Sequence, residues 1–429
     1  MNLESASAQA LADWLEWLEG LHPQEIDLGL ERVGHVAAAL GVATPAARVV
    51  TVAGTNGKGS VCQLVAAMLG AAGHRVGLYT SPHLSRFNER IRVDGRDADD
   101  ATLLAAFRRV EHARGATSLT FFEFTTLAAL DVFAHARVDV IVLEVGLGGR
   151  LDATNVVDSD VAVVTSIGID HAEWLGTDRA AIAREKAGIA RADRPLIVGE
   201  APPAPGLLEA ADEVGARVRR VGHDFAYAAD GEGWHWWQDA HAPVALPLPG
   251  AGGGYQLANA ATAVAAVAAL GLDPAAPGIA AGLREARVPG RFEILRSEAP
   301  GGTVEMVLDV AHNPAAASML AQQLARPTGG RTLAVLGMYA DKDIEAVVAE
   351  LAPVVDAWFV ASLPSPRGAA HERLSQAIGA IGGVIEASGA DPATAFLSAR
   401  AAVRPGDRIV VAGSFATVGP VRALLLSNG

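Results

Sequence analysis

A glycine-rich stretch in the first quarter of the chain has the residue types of a phosphate-binding loop. Residues 52–60 read VAGTNGKGS, so two residues separate Gly54 from Gly57 and an extra glycine follows Lys58. The common phosphate loop has four residues between its glycines and ends in Gly-Lys-Ser/Thr. Its lysine contacts the β- and γ-phosphates, and a hydroxyl such as that of Ser60 contacts Mg²⁺ or phosphate. A plain glycine turn is the alternative, but the apolar run before the loop and the helical pattern after it favour nucleotide binding.

Three other apolar runs end in side chains that could bind a metal ion. Ser81 follows one run, Glu144 ends the second, and His171 closes the third. Mg²⁺ prefers oxygen ligands, and a glutamate at the end of a buried run needs a partner, either a metal ion or a salt bridge. Taken singly, the serine is typical of a turn and the histidine of a hydrogen-bonded structural residue. Neighbouring strands would bring all three to one edge of a sheet, and this favours a metal site.

Lys186 is less informative from its spacing. It follows Glu185 in REKAGI, within a helical pattern. Spacing alone favours an ion pair between these two side chains on the surface of a helix, so the pattern by itself predicts no catalytic role.

The second half of the chain offers polar residues after two further apolar runs. In LDVAHNP, Asn313 is typical of a helix N-cap and Pro314 of a first helical position. This leaves Asp309 and His312 as candidates to face a ligand. Ser414, in GSFATV, follows an apolar run in the same way.

Runs rich in Val and Ile alternate with helical patterns, and these elements must position the polar residues. The predicted strands begin near Arg48, Arg75, Val138, Asp160 and Arg194 in a first series, and near Thr303, Arg331, Ala357 and Asp407 in a second. Such alternation predicts parallel sheets covered by helices. Residues 201–254, rich in Pro, Gly and Trp, predict a short antiparallel excursion with loops. We place a domain boundary near Leu295, which gives α/β domains over residues 1–295 and 296–429.

Composition limits the class of protein. At 429 residues, 51% of them apolar, the chain has enough apolar surface for two globular domains. Its net charge of -14 argues against general binding to nucleic acid or to an anionic membrane. The chain has one cysteine, Cys62, no basic signal-peptide start, and an Ala-rich run at 257–272 that is short for a membrane span. These features predict a soluble, cytoplasmic protein.

Nine short motifs follow one another in an order that resembles the folylpolyglutamate synthase family, within the Mur ligase superfamily. They are GTNGKGS, YTSPHL, FFEFTT, LEVGLGGRLDATN, TSIGIDH, EKAGI, PGRFE, DVAHNP and GSFATV. The resemblance spans nearly the whole chain. It implies an α/β fold with a P-loop-containing, mostly parallel N-terminal domain and a smaller, Rossmann-like C-terminal α/β domain. The unusual glycine spacing is then this superfamily's own form of phosphate loop.

The resemblance also implies an activity, that of an ATP-dependent amide ligase. A pterin-bearing carboxylate attacks the γ-phosphate to give an acyl phosphate and ADP, and the amino group of L-glutamate then displaces phosphate. The implied substrates are dihydropteroate, reduced folates and L-glutamate, and the implied cofactors are ATP and two Mg²⁺ ions. The first domain would bind ATP and pterin, and the second would complete the ATP and glutamate site. We expect a monomer with no nucleic-acid or membrane partner.

Matching positions in the motifs supply the candidate residues that the resemblance implies. For ATP they are Thr55, Asn56, Gly57, Lys58, Gly59, Ser60, Asn259, Arg291 and Asp309. For Mg²⁺ they are Ser81, Glu144 and His171. For the pterin substrate they are Asp27, Leu28, Gly29, Leu30, Thr120, Phe121, Phe122, Glu123, Leu151, Asp152 and Ala153, and for glutamate they are His312 and Ser414. The implied catalytic residues are Lys58, His171 and Lys186, the last carboxylated on its amine by CO₂.

Two of these candidates, Phe121 and Phe122, have an alternative role. Aromatic rings could stack on or wall a flat pterin, and a nearby carboxylate could accept hydrogen bonds from pterin N–H groups. The same two phenylalanines could equally be plain helix core.

Two other functions compete with this one. A Mur-type ligase would join an amino acid to a UDP-linked muramyl carboxylate, but the phosphate loop begins near residue 54, and we expect no separate domain before it to hold UDP. A nucleotide-binding switch without ligase activity would not need the metal-ligand candidates or the polar residues of the second half. ATP turnover with each substrate would separate the three functions.

Overall fold

The computed structural model describes residues 11–231, 233–250, 252, 256–299, 302–326 and 328–427. They form two compact units. The first contains the described residues up to Ser81, with Asn88–Leu248 and Ala258–Ala286. The second contains Pro82–Phe87, the described part of 249–257, and the described chain from Arg287 onward.

The first unit is built on an eight-stranded sheet. Its strands are β1 (Arg48–Ala53), β2 (Val76–Tyr79), β3 (Ile91–Val93), β4 (Arg96–Asp97), β5 (Val140–Glu144), β6 (Val161–Val164), β7 (Pro195–Val198) and β8 (Arg217–Arg220). Their order is β4-β3-β2-β5-β1-β6-β7-β8. All neighbours from β2 to β8 are parallel, whereas β3 and β4 add an antiparallel edge. This confirms the predicted, mostly parallel sheet, whose central strands are rich in Val and Ile because both faces are buried.

Helices precede and connect these strands. They are α1 (Leu11–Glu19), α2 (Glu31–Leu40), α3 (Lys58–Ala71), α4 (Asp100–Arg114), α5 (Phe121–Ala136), α6 (Ala172–Leu175), α7 (Arg179–Ala187), α8 (Leu207–Val214), α9 (Gln256–Ala269) and α10 (Pro277–Glu285), with 3₁₀ turns at Phe87–Arg90 and Ala153–Val156. Helix α5 begins with a capping box, in which Thr120 and Glu123 each bind the other's backbone N–H. This cap fixes where the FFEFTT motif starts its helix.

The predicted antiparallel excursion is confirmed in its second part. Strands β9 (Phe225–Ala229), β10 (Gly233–Gln238) and β11 (Val244–Pro247) form a separate three-stranded antiparallel sheet. Strand β8, with the sequence RVRR, instead joins the main sheet in parallel. The apolar pattern misses β8 because an edge strand tolerates charged residues, which protect it from pairing with other chains.

The second unit is built on a six-stranded sheet. Its strands are β12 (Glu293–Ala299), β13 (Gly302–Leu308), β14 (Thr332–Leu336), β15 (Ala357–Ala361), β16 (Ile385–Gly389) and β17 (Arg408–Ala412), in the order β12-β13-β17-β14-β15-β16. Its helices are α11 (Pro314–Leu324), α12 (Ile344–Leu351), α13 (His371–Ala380), α14 (Pro392–Ala402) and α15 (Phe415–Ser427), with a 3₁₀ turn at Ala352–Val354. Only β12 pairs antiparallel, and the boundary expected near Leu295 falls inside this strand.

A short segment that follows β2 packs with the second unit. It comprises Pro82–Phe87, between two parts of the chain that belong to the first unit. Leu84 packs against the apolar core that includes Val418, and a Cβ atom on Gly419 would overlap the carbonyl oxygen of Leu84. Glycine at position 419 therefore allows the two backbones to touch.

None of the helices in the described ranges combines the length and the apolar character needed to cross a membrane.

Candidate functional site

The phosphate-loop candidate lies between the end of β1 and the start of α3. Gly54 and Gly57 have φ values of 150° and 90°, which residues with a side chain rarely adopt. A Cβ on Gly54 would overlap the Thr165 hydroxyl, and one on Gly57 would lie 2.5 Å from Asn259 Oδ1. The glycines therefore leave a cradle at a helix N-terminus, where backbone N–H groups and the helix dipole favour an anion. This geometry fits the phosphates of a nucleotide.

Two lysines donate to the same carbonyl group of this loop. Lys58 Nζ donates to the carbonyl oxygens of Gly54 and Thr55 at 2.9 and 3.2 Å. Lys186 Nζ, from the last turn of α7, donates to the Gly54 oxygen at 3.0 Å. The loop thus gathers two amines beside the cradle. Phosphate oxygens form shorter and stronger hydrogen bonds with ammonium groups than a neutral carbonyl does, so a nucleotide would compete for them.

Lys186 is buried, with only 4% of the residue exposed, and the expected surface ion pair with Glu185 is wrong. Glu185 instead accepts a hydrogen bond from Arg150 Nε at 3.0 Å, because α7 turns its two neighbouring side chains in different directions. Burial, and then the positive charge of Lys58, lower the pKa of Lys186 to about 7. A large part of this side chain is therefore a neutral amine near neutral pH, the form that acts as a nucleophile.

The carboxylate of Glu144 lies against the first turn of α3. Glu144 ends β5, is 4% exposed, and accepts a hydrogen bond from Ser81 N at 3.1 Å. A Cβ on Gly59 would lie 3.3 Å from Glu144 Oε1. Adjacent strands thus bring Ser81 and Glu144 together beside the phosphate cradle. A carboxylate oxygen next to phosphates is the type of donor that Mg²⁺ requires, so these residues fit a metal ion held partly by the nucleotide.

The third metal candidate, His171, is exposed at the start of the short helix α6, where its φ is 51°. Within the described ranges, no group of three or more His, Cys, Asp or Glu side chains has the arrangement of a metal site. A site of one carboxylate, one hydroxyl and one imidazole would need phosphate or water oxygens to complete it. The ligand set of Ser81, Glu144 and His171 stays a prediction.

An arginine that the sequence motifs do not mark links two of the predicted pterin segments. Arg32 Nη1 donates to Asp27 Oδ2 at 2.6 Å, and Arg32 Nη2 donates to the Asp27 carbonyl at 2.8 Å and to Glu123 Oε1 at 3.0 Å. Asp27 begins the half-buried segment 27–30, and Glu123 is in the first turn of α5. The bond to Glu123 spans 91 residues, so no local sequence signal could have revealed it.

Phe121 and Phe122 are half-buried, which does not fit plain helix core. The guanidinium carbon of Arg90 lies 5.3 Å from the centre of the Phe121 ring. The Tyr79 ring lies 5.9 Å from that of Phe122. The start of α5 therefore presents partly exposed aromatic rings beside a cation, an arrangement that suits a flat aromatic ligand.

Asp152 shapes the loop that follows β5. Its Oδ2 accepts a hydrogen bond from Leu147 N at 2.8 Å, and its Oδ1 accepts from the N and Oγ1 atoms of Thr154 at 3.0 and 2.6 Å. Burial raises the pKa of the Asp152 carboxyl, and these hydrogen bonds oppose the rise. Its neighbours Leu151 and Ala153 are half-buried and buried, respectively. The carboxylate thus holds the loop in shape, whatever else it contacts.

In the second unit, the side chains of Asp309 and His312 have backbone groups of other residues as hydrogen-bond partners. Asp309 accepts hydrogen bonds from Phe292 N and Ala311 N, each at 2.8 Å, and is 7% exposed. His312 Nδ1 lies 2.8 Å from the Val310 carbonyl oxygen. Asp309 therefore joins the turn after β13 to the PGRFE segment.

Ser414 and Arg291 have partners at the start of α15. The buried Ser414 hydroxyl accepts from Thr417 N at 3.0 Å and lies 2.7 Å from Thr417 Oγ1. The guanidinium of Arg291 stacks on the Phe415 ring at 4.9 Å. The predicted helix start at Asn313 is confirmed, since its side chain accepts from Ala316 N at 2.9 Å and Pro314 follows it.

Comparison with known proteins relates the chain to enzymes of one superfamily. Residues 52–267 match the Mur ligase middle domain, and residues 290–415 match the Mur ligase, glutamate ligase domain. The chain is 48% identical over 421 residues to the dihydrofolate synthase/folylpolyglutamate synthase of Escherichia coli (strain K12), covering 98% of this chain and 96% of that one.

Two solved structures are similar over nearly the whole chain. One is E. coli FolC in complex with DHPP and ADP, with a TM-score of 0.92, 47% identity, and coverage of 98% of this chain and 99% of that one. The other is a bifunctional folylpolyglutamate synthase/dihydrofolate synthase with Mn, AMPPNP and L-glutamate bound, with a TM-score of 0.89, 44% identity, and 98% coverage of both chains.

Proposed function

The chain belongs to the dihydrofolate synthase/folylpolyglutamate synthase family of Mur ligases, and from this premise we propose that it joins L-glutamate to dihydropteroate and to reduced folates. It is an ATP-dependent carbon–nitrogen ligase of folate metabolism. The observation that carries the proposal is the phosphate cradle with its two amines, Lys58 and Lys186, on the Gly54 carbonyl. Two amines this close repel each other when both are protonated, and the phosphates of a bound nucleotide would neutralise them.

The proposed reaction has two steps. An oxygen of the substrate carboxylate attacks the γ-phosphorus of ATP, and the bond to the β,γ-bridging oxygen breaks, with its electron pair leaving on ADP. The amino nitrogen of glutamate then attacks the acyl carbon, loses a proton, and displaces phosphate. We propose that Lys58 and the backbone N–H groups of 57–60 offset the charge on the transferred phosphoryl group.

Metal ions would supply charge neutralisation and alignment of the phosphates. We propose Ser81, Glu144 and His171 as the protein's ligands, and two Mg²⁺ ions as the number bound. The support is the position of Glu144 and Ser81 against the first turn of α3. Asn259, which meets Gly57, and Arg291 and Asp309 in the second unit are the proposed further ATP contacts.

We assign Lys186 a role as a carboxylated lysine. A neutral amine attacks the carbon of CO₂ and loses a proton, which gives an anionic carbamate with two oxygens. The lowered pKa of Lys186 supplies the neutral amine that this step requires. The change converts a cation that repels Mg²⁺ into an anion that attracts it.

The proposed pterin site lies on three segments of the first unit, 27–30, 120–123 and 151–153. Its support is the link that Arg32 makes between the first two and the half-buried rings of Phe121 and Phe122. His312 and Ser414 are proposed for glutamate. We also propose that the protein is a monomer and acts in the cytoplasm.

Product analysis tests the function directly. Purified protein is incubated with ATP, Mg²⁺, L-glutamate, and either dihydropteroate or tetrahydrofolate, and the products are identified by mass spectrometry. Glutamate addition to both substrates is expected. Extension of tetrahydrofolate without any product from dihydropteroate would leave a monofunctional synthase.

The same assay separates the competing functions. A UDP-muramyl substrate in place of the pterin would give product only with a Mur-type specificity. ADP release that needs neither pterin nor glutamate would instead indicate a nucleotide switch.

A further inference from the structure

The phosphate loop is joined to the turn at residues 166–168, which follows strand β6 and is called the β6 turn below. Thr55 N donates to the Ser166 carbonyl oxygen at 2.6 Å. The Thr55 hydroxyl donates to the Gly168 carbonyl oxygen at 3.0 Å and accepts from Gly168 N at 2.8 Å. Asn56 N donates to Ser166 Oγ at 3.2 Å. The β6 turn therefore sets where the first residues of the phosphate loop lie.

The middle residue of the β6 turn, Ile167, has both of its backbone groups held by an arginine–carboxylate pair. Its carbonyl oxygen accepts a hydrogen bond from Arg179 Nε at 2.9 Å, and its N–H donates to Glu200 Oε2 at 3.2 Å. Arg179 Nη2 also forms an ion pair with Glu200 Oε1. Because Ile167 is buried, water is a poor substitute for either partner. The pair thus fixes the turn through hydrogen bonds to charged groups, which are stronger than neutral ones.

Both members of this pair extend from anchored parts of the backbone. Arg179 is the first residue of α7, the helix that also carries Lys186. Glu200 follows Gly199, whose N–H donates to the Val164 carbonyl oxygen, at the end of β6, at 2.9 Å. The pair therefore connects α7 and the end of β7 to the β6 turn, and the turn connects them to the phosphate loop.

A comparable pair, Arg194 and Asp160, lies at the opposite ends of the same strands. Arg194 Nη1 donates to Asp160 Oδ1 at 2.8 Å, and Asp160 Oδ2 accepts from Val49 N, in β1, at 2.8 Å. These side chains are 54% and 27% exposed, against 46% and 19% for Arg179 and Glu200. The two pairs are thus matched in chemistry and exposure. Of the two, the pair at the carboxyl ends of the strands adjoins the phosphate loop, where a parallel sheet binds its ligand.

We propose that Arg179 and Glu200 are positioning residues that hold the phosphate loop in its nucleotide-binding shape through the β6 turn. This inference rests on the proposed nucleotide site. Loss of either side chain would free a backbone group of Ile167, and the start of the phosphate loop would move with the turn. A bound nucleotide would then have to order the loop, and its affinity would fall by the cost of that ordering. The turn also lies three residues before His171, so the predicted metal ligand would be less well placed.

Calorimetry with Mg²⁺ and AMPPNP, a non-hydrolysable ATP analogue, tests the proposal on the full chain. The Kd of AMPPNP should rise by about 10- to 100-fold in Arg179→Met, the range for loss of a partner that orients binding residues. Arg194→Met is the matched control and should bind AMPPNP as the wild-type protein does. Each variant loses one half-exposed ion pair, so the two melting temperatures should fall by similar, small amounts. A merely structural role of Arg179 predicts no difference in AMPPNP affinity between the variants.

Steady-state kinetics separates an effect on nucleotide from an effect on pterin. In Arg179→Met, the KM for ATP should rise by about 10- to 100-fold. The KM for dihydropteroate, measured at saturating ATP, should stay at the wild-type value. Arg179→Lys should recover part of the loss, because its ammonium keeps the charge but lacks the planar fork that reaches Ile167 and Glu200 together. If Arg179→Met does not fold, Arg179→Lys and Glu200→Gln serve in the same comparison with Arg194→Met.

The double variant Arg179→Met/Glu200→Gln tests whether the pair acts as one unit. Because the two side chains are in contact, the loss of AMPPNP affinity in the double variant should be smaller than the product of the two single losses. A multiplicative loss would show that the residues act separately and would overturn the paired role. Wild-type AMPPNP affinity in both single variants, or an equal loss in Arg194→Met, would overturn the inference as a whole.

Failure of this inference is distinguishable from failure of the ligase function. Unchanged AMPPNP affinity in the Arg179 and Glu200 variants, together with glutamate ligation by the wild-type protein, would overturn the positioning role alone. Tight AMPPNP binding by the wild-type protein without any glutamate product, in the product assay above, would overturn the ligase function. The Kd values of the variants would still decide the positioning role in that case.

Discussion

The candidate residues of the first unit and those of the second bind different kinds of group. In the first unit, the amines of Lys58 and Lys186 both donate to the carbonyl oxygen of Gly54, in a cradle that fits phosphate. In the second unit, the Asp309 carboxylate and the Ser414 hydroxyl accept hydrogen bonds from backbone N–H groups. A ligand can replace a carbonyl as partner of an amine, but a backbone N–H that loses its acceptor stays buried and unsatisfied.

The difference separates two ways in which a residue can support a reaction. Substitutions at the lysines should remove activity and leave the fold intact. Substitutions in the second unit should weaken the fold and affect activity mainly through the shape of the backbone. The variants below, from the largest expected effect to the smallest, test this division.

Lys58→Ala should lose the most activity of these variants while its fold stays intact. We expect ligation to fall by about 1,000-fold or more, because one cation on a transferred phosphoryl group has an effect of this size. The melting temperature should not fall, because the substitution also removes a positive charge that opposes the protonated form of Lys186. Steady-state kinetics and a thermal melt measure the two quantities.

Lys342→Ala is the matched control, since Lys342 is the chain's one other lysine besides Lys58 and Lys186. It should keep wild-type turnover. Near-normal turnover in Lys58→Ala would remove the phosphate-loop assignment altogether.

Lys186→Ala should bind ATP but ligate about 10- to 100-fold more slowly, the loss typical when a group that supports a metal site is removed. A small carboxylate such as acetate should restore part of the rate by replacing the carbamate. Lys186→Arg should be no more active than Lys186→Ala, since arginine forms no carbamate. Full activity in Lys186→Arg would contradict the carboxylation proposal.

The pH dependence of the wild-type ligation rate tests the same carboxylation of Lys186. CO₂ reacts with the neutral amine, and the pKa of Lys186 is lowered to about 7. Carboxylation, and with it the ligation rate, should therefore rise as pH increases through this value at a fixed CO₂ concentration. Rates measured across this range with and without added bicarbonate test the expectation. A rate that is indifferent to bicarbonate below pH 7 would argue against it.

Asp152→Asn tests whether a candidate residue of the first unit can also support the fold. We expect it to lower the free energy of unfolding by about 1–3 kcal/mol, because the NH₂ group of asparagine replaces one acceptor oxygen and leaves either the half-buried Leu147 N–H or the buried Thr154 N–H without a hydrogen bond. The KM for dihydropteroate should rise, since the loop holds a proposed pterin segment. Urea unfolding and KM measurements decide the role. A raised KM with unchanged stability would mean that Asp152 acts by direct contact alone.

Ser414→Ala should have the smallest effect on turnover. Loss of the hydroxyl that accepts from Thr417 N should cost about 1 kcal/mol of stability, as for other helix N-caps. Because Ser414 is also proposed to contact glutamate, the KM for glutamate should rise by about 3- to 10-fold, the range for one neutral hydrogen bond. A raised glutamate KM with no loss of stability would mean that Ser414 acts by ligand contact alone and would end the contrast between the units.

The sequence predicts features that depend on neighbouring residues. Strands β1, β5 and β6 are runs of Val and Ile because both faces of the sheet are covered, so their composition reveals them. The phosphate loop can also be predicted, because its glycines lie close together in the sequence. The helix start at Asn313 can likewise be predicted from two adjacent residues, Asn313 and Pro314.

Features that depend on distant residues were missed or misjudged. The spacing of Glu185 and Lys186 suggests a surface pair, yet Lys186 is buried and donates to the carbonyl of Gly54, 132 residues earlier. Arg32 carries no motif that distinguishes it from the chain's other arginines. Its importance comes from partners such as Glu123, which only the folded chain brings near.

The segment Pro82–Phe87 affects how the protein could be divided or recombined. It sits in the middle of the first unit's sequence but packs with the second, where Leu84 touches the backbone at Gly419. A fragment that ends at Ala286 would keep Leu84 and lose the apolar surface that covers it. An exchange of C-terminal halves between two relatives would likewise need matched residues at these positions. Division of the chain at Ala286 would therefore split the second unit between two fragments.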